Sequence, residues 1–269
     1  MCPQNKQVPP GPGSFNRRSG AEPPVLLVIG QAVHPTGFAR VTRSVLDHIA
    51  PFYRVHQFGL NYKGETVHVG PSWTIHPNRL PGDIHGKIQV PQLIDRLNPD
   101  LVWIVHDLYL FSLLREPLLE KKKNGWKGKI VAYCPIENRI VKPGKMEGVH
   151  GLDRLVLYNR FARNEAERAC AWLEKENTGF VPPEMTDIPH GLDRDLFFPC
   201  MAEPLNGGLD QNRIHARKLL FPDMEDMDGA FIVLNANRNS VRKRIDVTIE
   251  GFSLFARGKP PDVLLYLHM

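Results

Sequence analysis

Val25-Leu26-Leu27-Val28-Ile29 is an unbroken run of β-branched and leucine side chains, closed by Gly30. A strand with one wet face alternates apolar and polar residues, so a run without polar breaks predicts a strand covered on both faces. Gln31 to Gly37 reads as a loop, and beyond it Phe38, Val41, Val45 and Ile49 recur at helical spacing until Pro51 ends the segment. The same alternation continues along the chain. Strands are expected at 54–60, 73–75, 101–105, 130–133 and 155–158. One helix ends at Leu93 and Leu97, where Asn98-Pro99-Asp100 breaks it, and another covers 161–175. Strands separated by helices predict a parallel sheet with helices on both faces, whose strand C-terminal ends share one edge where ligands bind.

Around 200–229 the composition shifts to Pro, Gly, Met and acidic residues, a linker with one short helix near Ala216. A fresh unit starts at Phe231-Ile232-Val233-Leu234, with a helix at 246–255 and a strand at 263–267. One βαβ unit cannot cover its own sheet, so this second domain is expected to be cut short by the end of the chain. The domain plan is a disordered leader at 1–24, a Rossmann-like domain at 25–199, a linker at 200–229 and an incomplete second Rossmann-like domain at 230–269. No solenoid-type repeat is visible.

The chain has 269 residues, with 34 Lys plus Arg against 29 Asp plus Glu, a net charge of +5. A mild basic excess suits a protein that holds an anionic phosphate compound or visits an anionic membrane surface. Nucleic-acid binding would also fit, but the RNP, zinc-finger and basic-zipper signatures are missing. Cys2, Cys134, Cys170 and Cys200 lack CxxC pairing and metal-ligand spacing, and read as reduced thiols. The Pro/Gly/Ser-rich start lacks the apolar core of a signal peptide, and no later run is apolar for long enough to span a bilayer. A cytoplasmic location is expected.

Three loops carry the candidate chemistry. His34-Pro35-Thr36-Gly37-Phe38 joins a buried strand to a helix, whose N-terminal N–H groups suit a phosphate, with Gly37 admitting it closely. The alternative is a glycine serving only a tight turn. His106-Asp107 lies directly beyond the strand 101–105, where His106 would hold a sugar hydroxyl and Asp107 would orient the ring or cap the next turn. Arg238-Asn239-Ser240-Val241-Arg242-Lys243-Arg244 follows a buried strand and precedes a helix, an anion cradle suited to a diphosphate. Glu137, after the strand 130–133, faces the same edge. Asp83 and His85 read as a loop turn rather than a metal pair. Cys134 lacks the surroundings of a nucleophile. Trp126, between Lys121-Lys122-Lys123 and Lys127 to Lys129, reads as a solvated surface loop or a weak contact with anionic lipid headgroups.

These pieces resemble the family 4 glycosyltransferases of the GT-B superfamily. Thr36-Gly37-Phe38 is similar to the family's glycine loop. Ile188-Pro189-His190-Gly191-Leu192-Asp193, with Phe198-Pro199 beyond, is similar to its NG(V/I)D…F.P stretch. Asn237-Arg238 with Arg242-Lys243 resembles its GR…KG loop, in which Arg and Lys clamp a donor pyrophosphate. The likeness runs in order from Val25 to Met269. His190 stands in place of the usual Asn, Asn237 and Arg244 stand where the family often has Gly, and the E-x7-E segment would fall beyond Met269.

The resemblance implies a GT-B-like α/β fold and retaining transfer from a nucleotide-sugar to a sugar, lipid or protein acceptor, without metal or other cofactor. It implies that Arg238 and Lys243 hold the diphosphate together with Gly37, that His106 holds the sugar, and that Thr36, Asp107, Glu137 and His190 contact sugar or acceptor. Three other readings stay open: a non-catalytic nucleotide-sugar or acceptor-binding module, a basic nucleic-acid-binding protein, and a nicotinamide-dependent Rossmann enzyme. The last is disfavoured by the missing dinucleotide fingerprint.

Overall fold

Strand β1 (Val25–Gly30), buried at all six positions, lies inside the first sheet. The structure, a computed structural model, describes residues 22–177, 179–195, 197–198, 209–224 and 227–269. Residues 1–21 of the expected leader, much of the expected linker, Cys2, Pro199 and Cys200 lie outside them. In chain order there follow α1 (Gly37–Ile49), β2 (Arg54–Gly59), β3 (Val67–Val69), β4 (Trp73–Pro77), α2 (Gln89–Leu97), β5 (Leu101–Val105) and α3 (Leu108–Lys123). Next come β6 (Lys129–Cys134), β7 (Arg154–Leu157), α4 (Arg160–Glu176), β8 (Glu184–Asp187), α5 (Leu209–Leu220), β9 (Phe231–Asn235), α6 (Ile245–Ala256) and β10 (Val263–Leu267).

The first sheet has eight strands in the order β3-β4-β2-β1-β5-β6-β7-β8. All its pairings are parallel except β3 with β4. Leu27 and Ile29 point into one core with Phe58, Ile104, Leu110 and Phe111, while Leu26 and Val28 point into another with Leu46, Val55 and Trp73. Both faces of β1 are therefore dry, which is why its sequence has no polar break. Each such fully buried side chain is worth roughly 1.5–3 kcal/mol.

The chain divides into two compact units, Met1–Gly191 and Leu192–Met269. The second holds a separate parallel pair, β9 and β10, with α5 and α6. A separate sheet thus begins at Phe231.

Three details correct the sequence reading. The short strand β3 is antiparallel, so the sheet is mixed at that edge. Lys121, Lys122 and Lys123 are the last turn of helix α3, not a loop. Trp126 is buried and its indole N–H donates to the Pro99 carbonyl at 2.8 Å. Lys121 pairs with Asp95, and Lys122 and Lys129 pair with Asp153. The indole is thus held inside the fold rather than presented on a surface loop. The helix expected near Ala216 is present, as α5. Among the described residues, no helix is long and apolar enough to cross a membrane.

Two half-buried histidines on neighbouring strands give the fold a pH response. His56 Nδ1 and His76 Nε2 lie 3.0 Å apart and share one hydrogen bond. Burial, then His56, Arg96 and His68, lower the His76 pKa to about 4. Burial, then Arg54 and Arg96, lower that of His56. Below its ordinary pKa the unfolded His76 takes up a proton that the folded ring refuses, so acidification favours unfolding. Stability should be fully present above about pH 6.5 and fall as the pH drops toward about 4. Allowing for the exposed half of the ring, the loss attributable to His76 should be roughly 1–2 kcal/mol. Thermal melts across this range should show the decline in the wild type and a flatter profile in His76→Asn.

Candidate functional site

The chain leaves β1 toward β2 on one side, while β5 lies on the other, so the strand order reverses between β1 and β5. Open parallel sheets bind ligands beyond the strand C-termini at such a reversal. Two segments meet there: the loop 31–36 leading into α1, and His106-Asp107 leading into α3. Gly30 marks how closely β1 and β5 approach, since a Cβ there would sit 3.2 Å from the Val105 carbonyl oxygen.

The first segment is strained. Val33 has φ 65°, and His34 N–H donates to the Ala32 carbonyl at 2.6 Å, closing a γ-turn that a β-branched residue adopts at a cost. Thr36 is the N-cap of α1, its hydroxyl accepting from Ala39 N–H at 3.2 Å. Its side chain is thus engaged in capping. The N–H groups of Gly37 and Phe38 have no hydrogen-bond partner among the described residues. A Cβ on Gly37 would meet nothing within 4 Å, so no packing constraint in the protein requires glycine there.

His106 is only 6% exposed. Its ring stacks on Phe38 at 5.1 Å and meets Tyr109 edge-on at 5.2 Å. Asp107 N–H donates to His106 Nδ1 at 2.8 Å, which assigns the hydrogen to Nε2. Burial lowers the His106 pKa and His85 adds to this, against the opposing charge of Asp107. The result is a neutral imidazole whose Nε2–H has no hydrogen-bond partner among the described residues. Sandwiched as it is, it can serve one oxygen entering beside Phe38 and Tyr109. Asp107 occupies the N-cap position of α3 but makes no side-chain capping bond, leaving an exposed carboxylate.

Farther along the edge, Tyr133, Tyr158 and His190 form a second aromatic group. His190 lies 4.0 Å from Tyr158 and 5.8 Å from Tyr133, and the Tyr133 hydroxyl donates to the Ile188 carbonyl at 3.0 Å. Burial, then Tyr133, Cys134, Asp107 and Glu137, raise the Tyr158 pKa, which keeps the phenol neutral. Glu137 is exposed on the following loop. Burial, with Asp107 behind it, drives the Cys134 thiol strongly upward, so it is no nucleophile. The structure thus brings His106 and Asp107 to the loop that carries Thr36 and Gly37, and gathers His190 with two tyrosines. Tyr109, Tyr133 and Tyr158 were missed in the sequence. Their signal is position, at or just beyond the end of a buried strand.

Arg238 and Lys243 belong to the second unit. Asn235 shapes their loop, its side-chain oxygen accepting from Asn237 N–H at 3.2 Å and from Asn237 Nδ2 at 2.7 Å. Arg244 adopts φ 46° and pairs with Asp246 at 2.8 Å. A left-handed residue at this point explains why glycine would suit it. Arg238, Arg242 and Lys243 make no ion pair among the described residues, and Lys243 is the least exposed of the four cations.

Asp83 organises a turn, as its sequence setting indicates: its carboxylate accepts from Ile88 N–H at 3.0 Å and Gln89 N–H at 2.9 Å. No group of three or more His, Cys, Asp or Glu side chains able to hold a metal occurs among the described residues.

No protein-family model matches the sequence, and no curated protein matches it. Solved structures do. Trehalose-6-phosphate synthase, studied for glycosyl transfer with retention, matches with a TM-score of 0.59 at 12% identity, over 90% of this chain and 63% of that one. HepE of Anabaena, in complex with UDP and glucose, matches with a TM-score of 0.54 at 12% identity, over 91% of this chain and 60% of that one. The catalytic domain of starch synthase IV from Arabidopsis thaliana, bound to ADP and acarbose, matches with a TM-score of 0.56 at 9% identity, over 91% and 68%. The chain therefore spans less than two thirds of the first two. The likeness shows the fold, which is GT-B-like: a Rossmann-like parallel-sheet unit followed by a second α/β unit.

Proposed function

We propose that this protein binds a nucleotide-sugar and transfers the sugar to an acceptor hydroxyl with retention of configuration. The reading is carried by Arg238 and Lys243, two cations without ion-pair partners in a strand-loop-helix turn, within a fold shared with proteins that hold UDP or ADP. As the glycosidic bond breaks, the departing nucleoside diphosphate gains negative charge. Fixed cations stabilise that charge without reorganising, the term expected to dominate. Arg238 and Lys243 supply it in the second unit; in the first unit, taken by itself, the open N–H groups of Gly37 and Phe38 suit an anionic group. The neutral Nε2–H of His106 donates to a sugar oxygen. Asp107, Glu137 and His190 are assigned to sugar or acceptor contacts, and the proposed chemistry needs no metal.

The test is turnover. UDP-, ADP- and GDP-sugars, each offered with simple glycosides as acceptors, should yield free nucleoside diphosphate for one donor, and NMR of the product should show the donor's anomeric configuration. Tight nucleotide binding with no release for any donor would instead favour a binding module. Release with inverted configuration would remove the retaining part of the reading.

A further inference from the structure

The loop 78–88, between β4 and α2, has its polarity turned inside out. Asn78 is fully buried and Asp83 is 5% exposed, whereas Ile84 is 63% and Ile88 53% exposed. Single exposed apolar residues are ordinary, but buried polar groups combined with outward isoleucines in one short loop are not. The inward polar groups hold the loop in shape. Asn78 Nδ2 donates to the Leu60 and Ile84 carbonyls, its Oδ1 accepts from Gln89 Nε2, and Asp83 receives two backbone N–H groups. Gly86 presses the backbone onto the core: a Cβ there would lie 2.5 Å from a Phe58 ring carbon, and φ is +76°. The loop is therefore a rigid mount that offers Leu80, Ile84 and Ile88 to solvent, with the exposed Lys87 beside them. Arg79 is already paired with Glu65.

This mount joins the candidate site through a continuous run of rings. Phe38 stacks on His106, His106 meets Tyr109, and Tyr109 meets His85 of the loop at 5.7 Å. Tyr109 is half exposed, so the outer end of the run meets solvent next to the loop that carries Ile84 and Ile88.

We propose that Ile84, Ile88 and Tyr109 form an acceptor subsite that selects a molecule bearing an aliphatic group beside its receiving hydroxyl. The assignment rests on the glycosyltransferase reading above. The hydroxyl end lies toward His106 and the aliphatic end lies along the loop.

The probes are octyl β-D-glucopyranoside, kept below its critical micelle concentration, and methyl β-D-glucopyranoside. Calorimetric titrations would be made with the wild type and with Ile84→Ser/Ile88→Ser, with UDP, ADP and GDP titrated in parallel. Burying about two of the extra methylenes gives roughly a tenfold preference for the octyl compound. That preference should fall to within about twofold in the variant, with nucleotide affinity and melting temperature unchanged. Equal binding of both glucosides by the wild type, or a preference that survives in the variant, would overturn the subsite while leaving nucleotide binding intact. A loop-dependent octyl preference with no nucleotide binding at all would overturn the acceptor assignment together with the proposed function. Ile84- and Ile88-dependent sedimentation with phosphatidylcholine–phosphatidylglycerol vesicles, without octyl preference in solution, would overturn it in favour of a membrane-facing surface.

Discussion

Arg238→Ala and Lys243→Ala should each weaken nucleoside diphosphate binding about tenfold or more, while Arg244→Gly should leave it within about twofold. A charge-assisted hydrogen bond to a diphosphate contributes roughly 1.5–3 kcal/mol, and 1.4 kcal/mol is a factor of ten. Arg238 and Lys243 have no ion pair among the described residues to compete for them. Arg244 is held by Asp246, which also lowers its availability to an anion. Glycine is the informative replacement at 244, because φ is 46° and an alanine would keep the backbone strain while removing the charge. Calorimetry in one buffer at one ionic strength checks all three. Equal small losses would mean a diffuse basic surface, and the clamp would be wrong.

His106→Phe should cut turnover of a nucleotide-sugar at least tenfold while leaving nucleoside diphosphate affinity nearly unchanged. Phenylalanine keeps the stack on Phe38 and the edge contact with Tyr109, so the packing survives. What disappears is the Nε2–H donor proposed to hold the sugar, together with the Nδ1 acceptor of Asp107 N–H. A neutral bond of this kind contributes about 0.5–1.5 kcal/mol to binding, and removing a donor that strengthens in the transition state costs more. A matching loss of nucleotide affinity would place His106 at the diphosphate rather than at the sugar.

How far the sequence carried depended on where each signal lived. Strands β1, β5, β6 and β7 were legible because both faces of the sheet are dry, so burial wrote continuous apolar runs. Helix α3 was not, although Leu110, Phe111, Leu114 and Leu118 are all buried along it. Pro117 inside the helix lacks the N–H for a helical bond, and Lys121 to Lys123 look like a surface loop without a view of Asp95 and Asp153. Strand β3, short and exposed, carries almost no pattern.

In the candidate site, position after a buried strand picked out His106, loop charge picked out the cradle 238–244, and the resemblance singled out Arg238 and Lys243 within it. The run from Phe38 through His106 and Tyr109 to His85 is assembled from three separate chain segments. No local spacing encodes it. Asp246, whose pairing takes Arg244 out of the cradle, lies only two residues along the chain, so that signal was local and was overlooked. Thr36 was noticed for its loop, yet its hydroxyl is engaged in capping, a local role that only the helix boundary reveals.

The central claim is that the chain holds a nucleoside diphosphate specifically, and a thermal-shift titration tests it most directly. A ligand that binds the folded state alone raises stability in proportion to the logarithm of its concentration above the dissociation constant. One nucleoside diphosphate among UDP, ADP and GDP, with its nucleotide-sugar, should raise the melting temperature by several degrees at saturating concentration. The shift should disappear in Arg238→Ala/Lys243→Ala and persist in moderate salt. Identical small shifts with all nucleotides, with inorganic pyrophosphate and with short oligonucleotides, all abolished by moderate salt, would contradict the account and leave only a basic surface.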